Sequence, residues 1–223
     1  MADAAAVPPG VAEAMIAFNL SPMRDMDPSW VPTLPNSALI AHLSAVPRAL
    51  SRYGHWLMAE SGIAGRFIVE FSPRARLALM SRADLQSLLL HVGVALRGND
   101  IRREIDSKRI RATREAIGPE LHDFALRMAP LYGNLPSVDF ASRSLGLKER
   151  CMLIGAIYAC DATATADRAY LTRLCWKLPQ PVAEPLLTSS WEERAVEPGA
   201  QLPPLVRRII KDRFSKWLPL FAG

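Results

Sequence analysis

Residues Leu88 to Ile105 read LLLHVGVALRGNDIRREI, an apolar helical run that passes through Gly98 and continues as a basic one. Just ahead of it, Ser81-Arg82-Ala83-Asp84 has the form of a capping box. Leu85, Leu88, Leu89, Val92 and Leu96 then recur at helical spacing. Gly98 is placed to act as the residue that ends this helix in the left-handed conformation, with Asn99 or Asp100 capping a second helix from about Ile101. The stretch therefore predicts two helices about a glycine corner, the first a core element and the second a charged surface.

The same logic extends outward in both directions. Downstream, Leu121, Phe124, Ala125 and Met128 form a stripe opened by Pro119 and closed by Pro130. Leu147, Cys151, Ile154 and Tyr158 form another, and Leu171, Leu174, Cys175 and Leu178 a third that stops at Pro179. Pro179 to Pro204 reads as a long surface connection pinned to the core by Trp191. A final helix runs from Pro204 to Leu218, with Val206, Ile209, Ile210, Phe214, Trp217 and Leu218 on one face.

Upstream, Ser37 to Glu60 is helical with a kink or break at Pro47, and Arg66–Phe71 (RFIVEF) has strand-like composition with no evident partner. The first 35 residues carry Pro8, Pro9, Pro22, Pro28, Pro32 and Pro35, which leave room for one short helix at Val11–Leu20. The expected fold is mainly α, with little or no β. A Pro-rich segment, residues 1–35, packs on a single globular multi-helix domain, residues 36–223.

The chain has 223 residues, half of them hydrophobic and 22% charged, enough for a substantial core. No run reaches the roughly 18 apolar residues that cross a bilayer, because Gln86, Ser87, His91 and Arg97 interrupt the longest one. The N-terminus carries Asp3 and no early Lys or Arg, unlike a secretory signal, so a cytosolic location is expected. Cys151, Cys160 and Cys175 are odd in number and contain no C-x-x-C pair, which opposes a disulfide framework or a standard zinc site and favours small core residues.

No phosphate loop, dinucleotide fingerprint, H-E-x-x-H or G-x-S-x-G occurs. The histidines His42, His55, His91 and His122 are scattered, and His91 reads as a core histidine. Glu192-Glu193 reads as a solvated surface pair. No catalytic residue, cofactor or metal ligand is assigned, and an enzyme is not expected.

The net charge of +5 comes from two places. Between Arg97 and Arg114 stand seven Lys/Arg against three Asp/Glu, and from Pro203 to Gly223 five against one. Patches of this kind meet acidic proteins, nucleic acid or anionic lipid. On a helix Arg102 and Arg109 line one side, with Lys108 close by and Glu104 and Asp106 as local charge partners. Aromatics for stacking on bases are absent there.

Val138–Ile154 has a helix-turn-helix outline, but its second helix is too apolar to lie in a groove. The basic face of the C-terminal helix could graze a membrane, although docking of its apolar face on the core is the better reading. Arg102, Arg103, Arg109, Arg111, Arg207, Arg208 and Lys211 are the candidate partner-binding residues.

The order of segments resembles the SctK (YscK/PscK) family, a cytosolic accessory component of bacterial type III secretion systems. The stretches that carry it are FNLSPMRDMDPSWVPTLP (Phe18–Pro35), LLLHVGVALRGNDIRREI, RLCWKLPQP (Arg173–Pro181) and LVRRIIKDRFSKWLPLF (Leu205–Phe221). The resemblance implies a helical, cofactor-free protein of the sorting platform. Such a protein bridges the cytoplasmic domain of the inner-membrane ring protein SctD and the pod protein SctQ. It would be cytoplasmic, recruited to the cytosolic face of the bacterial inner membrane through protein contacts, with no obligate homo-oligomer and no nucleic-acid partner. A basic nucleic-acid-binding regulator using the Arg97–Arg114 patch is the alternative.

Overall fold

A helix that is apolar on every side belongs at the centre of a protein, and two segments here fit that description. The computed structural model describes residues 9–43, 45–132, 145–160, 167–188 and 201–221. Its α-helices are α1 (Pro9–Leu20), α2 (Ser37–Leu43), α3 (Pro47–Glu60), α4 (Arg82–Leu96), α5 (Gly98–Arg103), α6 (Ser107–Ile117), α7 (Pro119–Tyr132), α8 (Leu147–Ala159), α9 (Arg168–Trp176), α10 (Gln180–Thr188) and α11 (Pro204–Arg213). Short 3-10 segments lie at Pro22–Arg24, Pro28–Thr33, Ala75–Leu79 and Ser215–Phe221. The described residues contain no strand, so the fold is all-α, as expected.

The central pair is α4 against α8. Every residue from Leu88 to Ala95 is buried, as are Cys151 to Ile157. Their backbones come unusually close, because Gly93 faces the Cys151 carbonyl and Gly155 faces the Leu89 carbonyl. Around this crossing pack α7, α6, α10 and α11. All three cysteines are free and buried. Burial pushes the Cys151 thiol up to about 11 and raises that of Cys175 as well, so both stay protonated at neutral pH.

The start of α4 follows the capping reading: the Ser81 hydroxyl accepts from the Asp84 N–H at 3.3 Å and donates to the Asp84 carboxylate at 2.6 Å. That carboxylate also receives Trp217 Nε1 at 3.0 Å and Lys216 Nζ at 2.8 Å. Partial burial works against its ionisation, yet the hydrogen bonds from Lys216, Ser81 and Trp217 hold Asp84 below the usual carboxylate range. The cap of the central helix thereby also fastens the C-terminal segment.

Several expectations need correction. Gly98 is not a left-handed stop: α5 begins at Gly98 itself, because the Ile101 N–H donates to the Arg97 carbonyl at 3.1 Å and continues the helical path. The true corner lies later, at Glu104–Asp106, and among the described glycines positive φ is found instead at Gly62, Gly65 and Gly118, the last at +89° between α6 and α7. Pro130 does not close α7, which runs on to Tyr132. The connection expected from Pro179 to Pro204 contains α10, with Val182, Ala183 and Leu186 buried. Pro185 sits inside that helix, and proline density concealed its 3.6-residue pattern. Trp191 and Glu192-Glu193 lie outside the described residues, as does the first part of the helix-turn-helix outline.

The last helix stops at Arg213 rather than Leu218, because Phe214 leaves helical geometry (φ −127°, ψ 37°). Past that break the register changes, so Leu220 is buried and Leu218 exposed. Pro47 divides Ser37–Glu60 into two helices and occupies a first-turn position of the second, where its missing N–H costs nothing.

Residues of the Pro-rich segment engage the later half of the chain. Phe18 is buried and meets the Tyr170 ring at 5.9 Å, with Phe71 edge-on to it at 5.7 Å. Trp30 Nε1 donates to the carbonyls of Leu178 at 2.9 Å and Cys175 at 3.2 Å, and the Asp27 N–H donates to the Trp176 carbonyl at 2.7 Å.

Candidate partner-binding surface

The corner between α5 and α6 is made by three residues. Glu104 turns extended after Arg103, and Asp106 caps α6 by accepting from the Lys108 N–H at 2.9 Å. The Asp106 N–H in turn donates to Glu104 Oε1 at 3.1 Å. Both carboxylates are thus turned to local use, and Ile105 between them is left 92% exposed. Ile101 and Ile110 tuck inward on either side, and α5 and α6 rest on α7. A single exposed isoleucine is ordinary on a protein surface, and what distinguishes this one is the set of arginines around it, the residue type enriched among interface anchors.

Charge around the corner is unevenly spent. Arg109 lies 3.7 Å from Glu104 and 3.9 Å from Asp106, so its charge is compensated within the corner. Arg97 pairs with Asp100 at 3.7 Å. Arg102, Arg103 and Arg111 are exposed and form no ion pair among the described residues. These three carry the field that a partner would meet.

The second basic segment stands on α11. Its apolar face, with Val206, Ile209 and Ile210, is docked on the core, as the docking reading predicted. Arg207, Arg208 and Lys211 face solvent, and Arg208 pairs with Asp212 at 3.7 Å. Arg213 is committed to α7 at the surface: it reaches Glu120 at 2.7 Å and lies over the Phe124 ring at 5.1 Å. Its guanidinium holds the Glu120 carboxyl below the usual carboxylate range. Helix α7 therefore touches both basic segments, through α5 and α6 at one side and through Arg213 at its first turn.

Beneath the corner lies a cleft of about 120 Å³, whose walls include Asp100, Glu104, His122 and Cys151. Burial disfavours ionisation of its cysteine, and Nδ1 of its buried His122 lies 3.7 Å from the Asp123 carboxylate. His91 is a core residue, as read from its position: Nδ1 lies 2.7 Å from the Ser87 carbonyl oxygen, the ring meets Phe124 and Phe214 edge-on, and burial lowers its pKa. No group of His, Cys, Asp and Glu among the described residues could hold a metal ion.

Sequence reasoning located the basic residues and missed Ile105, whose signal was an isoleucine set alone in the charged run RREID. It also could not foresee the partners of Arg213 and Lys216, which come from distant segments. The corner falls inside a match to the family model described as YOP proteins translocation protein K (YscK), which spans residues 15–203. The chain belongs to the YscK family. Proteins of the YscK family serve type III secretion, which gives this chain a role in secretion, and the family is not a known enzyme family. The YscK match ends just ahead of α11, so Arg207, Arg208 and Lys211 lie beyond it. Comparison with curated proteins and with solved structures gave no match. Among the described residues no helix is long and apolar enough to cross a membrane.

Proposed function

We propose that the chain is a non-catalytic adaptor of the type III secretion sorting platform. It bridges the cytoplasmic domain of an SctD-like inner-membrane ring protein and an SctQ-like pod protein, and secretion of virulence proteins depends on it. It works in the cytoplasm and is held at the cytosolic face of the inner membrane by these protein contacts. The observation that carries the reading is the α5–α6 corner: an almost wholly exposed Ile105 flanked by Arg102, Arg103 and Arg111, none of which has an internal carboxylate partner among the described residues. A surface that pairs one apolar anchor with free guanidinium groups fits an acidic protein patch and gives salt-sensitive association.

Charge reversal of Arg102 and Arg103 to Glu is expected to weaken association with the ring domain or the pod protein at least about a hundredfold, since two close interfacial charge contacts are each worth about 1.5 kcal/mol or more. The helical circular dichroism should stay unchanged, because both side chains are exposed and unpaired. Undiminished co-purification of the variant with both proteins would sink the assignment of the corner. Salt-dependent binding of random duplex DNA at about 50 mM salt would favour a nucleic-acid regulator instead.

A further inference from the structure

Arg66–Phe71, expected as a minor strand, forms no sheet, yet part of it is fastened like one. Asn19, near the end of α1, donates from Nδ2 to the Met15 carbonyl at 2.9 Å and also engages both backbone groups of one distant residue. Its Oδ1 accepts from the Ile68 N–H at 2.8 Å, and its Nδ2 donates to the Ile68 carbonyl at 2.9 Å. One amide reaches both groups of one residue only where the backbone is extended, since a helix points them in opposite directions along its axis. In extended backbone, successive residues turn their polar groups to alternate edges and their side chains to alternate faces.

Ile68 is half-buried against the core, while Phe67 is 47% and Val69 64% exposed. The N–H and C=O groups of Phe67 and Val69 therefore face away from Asn19, and nothing among the described residues bonds them. This is the free edge of a strand, a feature that proteins usually cover or fill.

At the Phe67 end of the segment a cavity of about 200 Å³ opens between α1, α3 and residues 64–67, with Asn19 among its walls. Leu20, Met58 and Phe67 supply its apolar wall, while its ionisable lining is His55, Arg66 and Arg173, with no carboxylate. Arg173 is only 3% exposed. It donates to the carbonyls of Arg66 at 2.8 Å and Ala169 at 3.2 Å, and to Met58 Sδ at 3.7 Å. Its Nε has no acceptor, and no carboxylate pairs with it or with Arg66 among the described residues. Asp167, which caps the start of α9, acts on this buried guanidinium only through space, so its direct contacts are neutral acceptors alone and a carboxylate in the cavity would add a contact charge.

We propose that Phe67–Val69 receives an extended segment of a partner protein as an added strand, and that a carboxylate side chain of this segment seats at the His55, Arg66 and Arg173 end of the cavity. Main-chain hydrogen bonds to the free edge supply affinity, and the basic cavity selects an acidic residue set among apolar ones. The surface is separate from the α5–α6 corner, and the choice of probes rests on the adaptor reading.

The test uses overlapping fifteen-residue peptides tiled along the SctD-like and SctQ-like proteins, titrated into the full nitrogen-15-labelled chain with amide exchange read residue by residue. At least one acidic, apolar tile should slow exchange of the Phe67 and Val69 amides at least about tenfold, while Ile68, already bonded, changes little. Val69→Pro deletes one edge donor and favours at Ile68 the extended conformation that it already has, so the melting temperature holds while tile binding falls at least about tenfold. Arg66→Glu, at an exposed side chain, should weaken the same tile by a similar factor.

Absence of any tile that protects Phe67 and Val69, or tile binding untouched by both variants, overturns the strand proposal. If the charge-reversed Arg102 and Arg103 variant loses its partners while no tile protects this edge, the adaptor reading stands and only the strand falls.

Discussion

Alanine at Gly93 or at Gly155 is expected to cost about 3 kcal/mol or more, at the upper end of what an added methylene costs in a filled core. For a domain of this size that corresponds to a melting temperature lower by about 6–12 °C. A Cβ at Gly93 would stand 1.7 Å from the Cys151 carbonyl oxygen, and one at Gly155 would stand 1.8 Å from that of Leu89. Both obstacles are backbone of the facing helix, so no rotamer change relieves them. Only a separation of α4 from α8 would do so, and that opens the centre of the core.

The direction of the effect is itself informative. In an unpacked helix, replacing Gly by Ala stabilises by up to about 1 kcal/mol. Gly10 in α1, where a Cβ would meet nothing within 4 Å, serves as the control and should be neutral or slightly more stable as alanine. Thermal melts of the three variants side by side would test the crossing. Gly93→Ala and Gly155→Ala proteins as stable as the control would show that α4 and α8 do not meet as described.

The second large effect concerns Lys177, which is 5% exposed after the end of α9. Its Nζ donates to the Met80 carbonyl at 2.8 Å and pairs with Asp25 at 3.2 Å, while lying 5.7 Å from the centre of the Phe18 ring. Burial lowers its pKa, and Asp25 offsets part of that loss. Removing the partner of a buried charge is far more damaging than removing the pair. Asp25→Ala should therefore cost about 3 kcal/mol, and Lys177→Met added to it should restore part of the stability.

The pH response follows from linkage. Without Asp25, the folded pKa of Lys177 falls further below that of an unfolded lysine, so the native state binds fewer protons than the unfolded one. Stability of Asp25→Ala should then rise as pH increases from neutral toward the unfolded lysine value of about 10.4. Denaturant titrations near pH 7 and pH 9 would read this directly. A loss that Lys177→Met deepens instead of relieving, with no gain at higher pH, would contradict the account of the pair.

Much of the fold was legible because its signals are local. Ser81, Pro47 and Pro119 mark helix starts through groups that the first turn leaves unbonded, and the apolar stripes of α4, α7, α8 and α9 repeat at 3.6 residues. What was missed depends on distant contacts. Gly93 and Gly155 sit inside apolar runs where a glycine weakens a helix, which hints at a close approach, yet nothing local says that the two glycines serve one crossing. Gly98 looked like a stop because glycine at that place usually is one, but here the helical path continues into α5. Leu218 lost its expected place because Phe214 breaks the periodicity on which the reading relied.

The candidate surface divides in the same way. The exposure of Arg102 and Arg103 and the local pairing of Arg109 with Glu104 and Asp106 could be read from spacing. The commitment of Arg213 to Glu120 and of Lys216 to Asp84 spans 93 and 132 residues of chain and could not. The Asn19 clasp on Ile68 is of that second kind, and it explains why a strand-like segment exists without a sheet.

The measurement closest to the central claim is light scattering on size-exclusion fractions of the ring protein's cytoplasmic domain and the pod protein, mixed with and without this chain. A bridging adaptor predicts a complex of all three that forms only when the chain is present, and that disappears when Arg102 and Arg103 are reversed to Glu. A ring–pod complex of equal abundance without the chain, or a chain that binds neither protein, would contradict it.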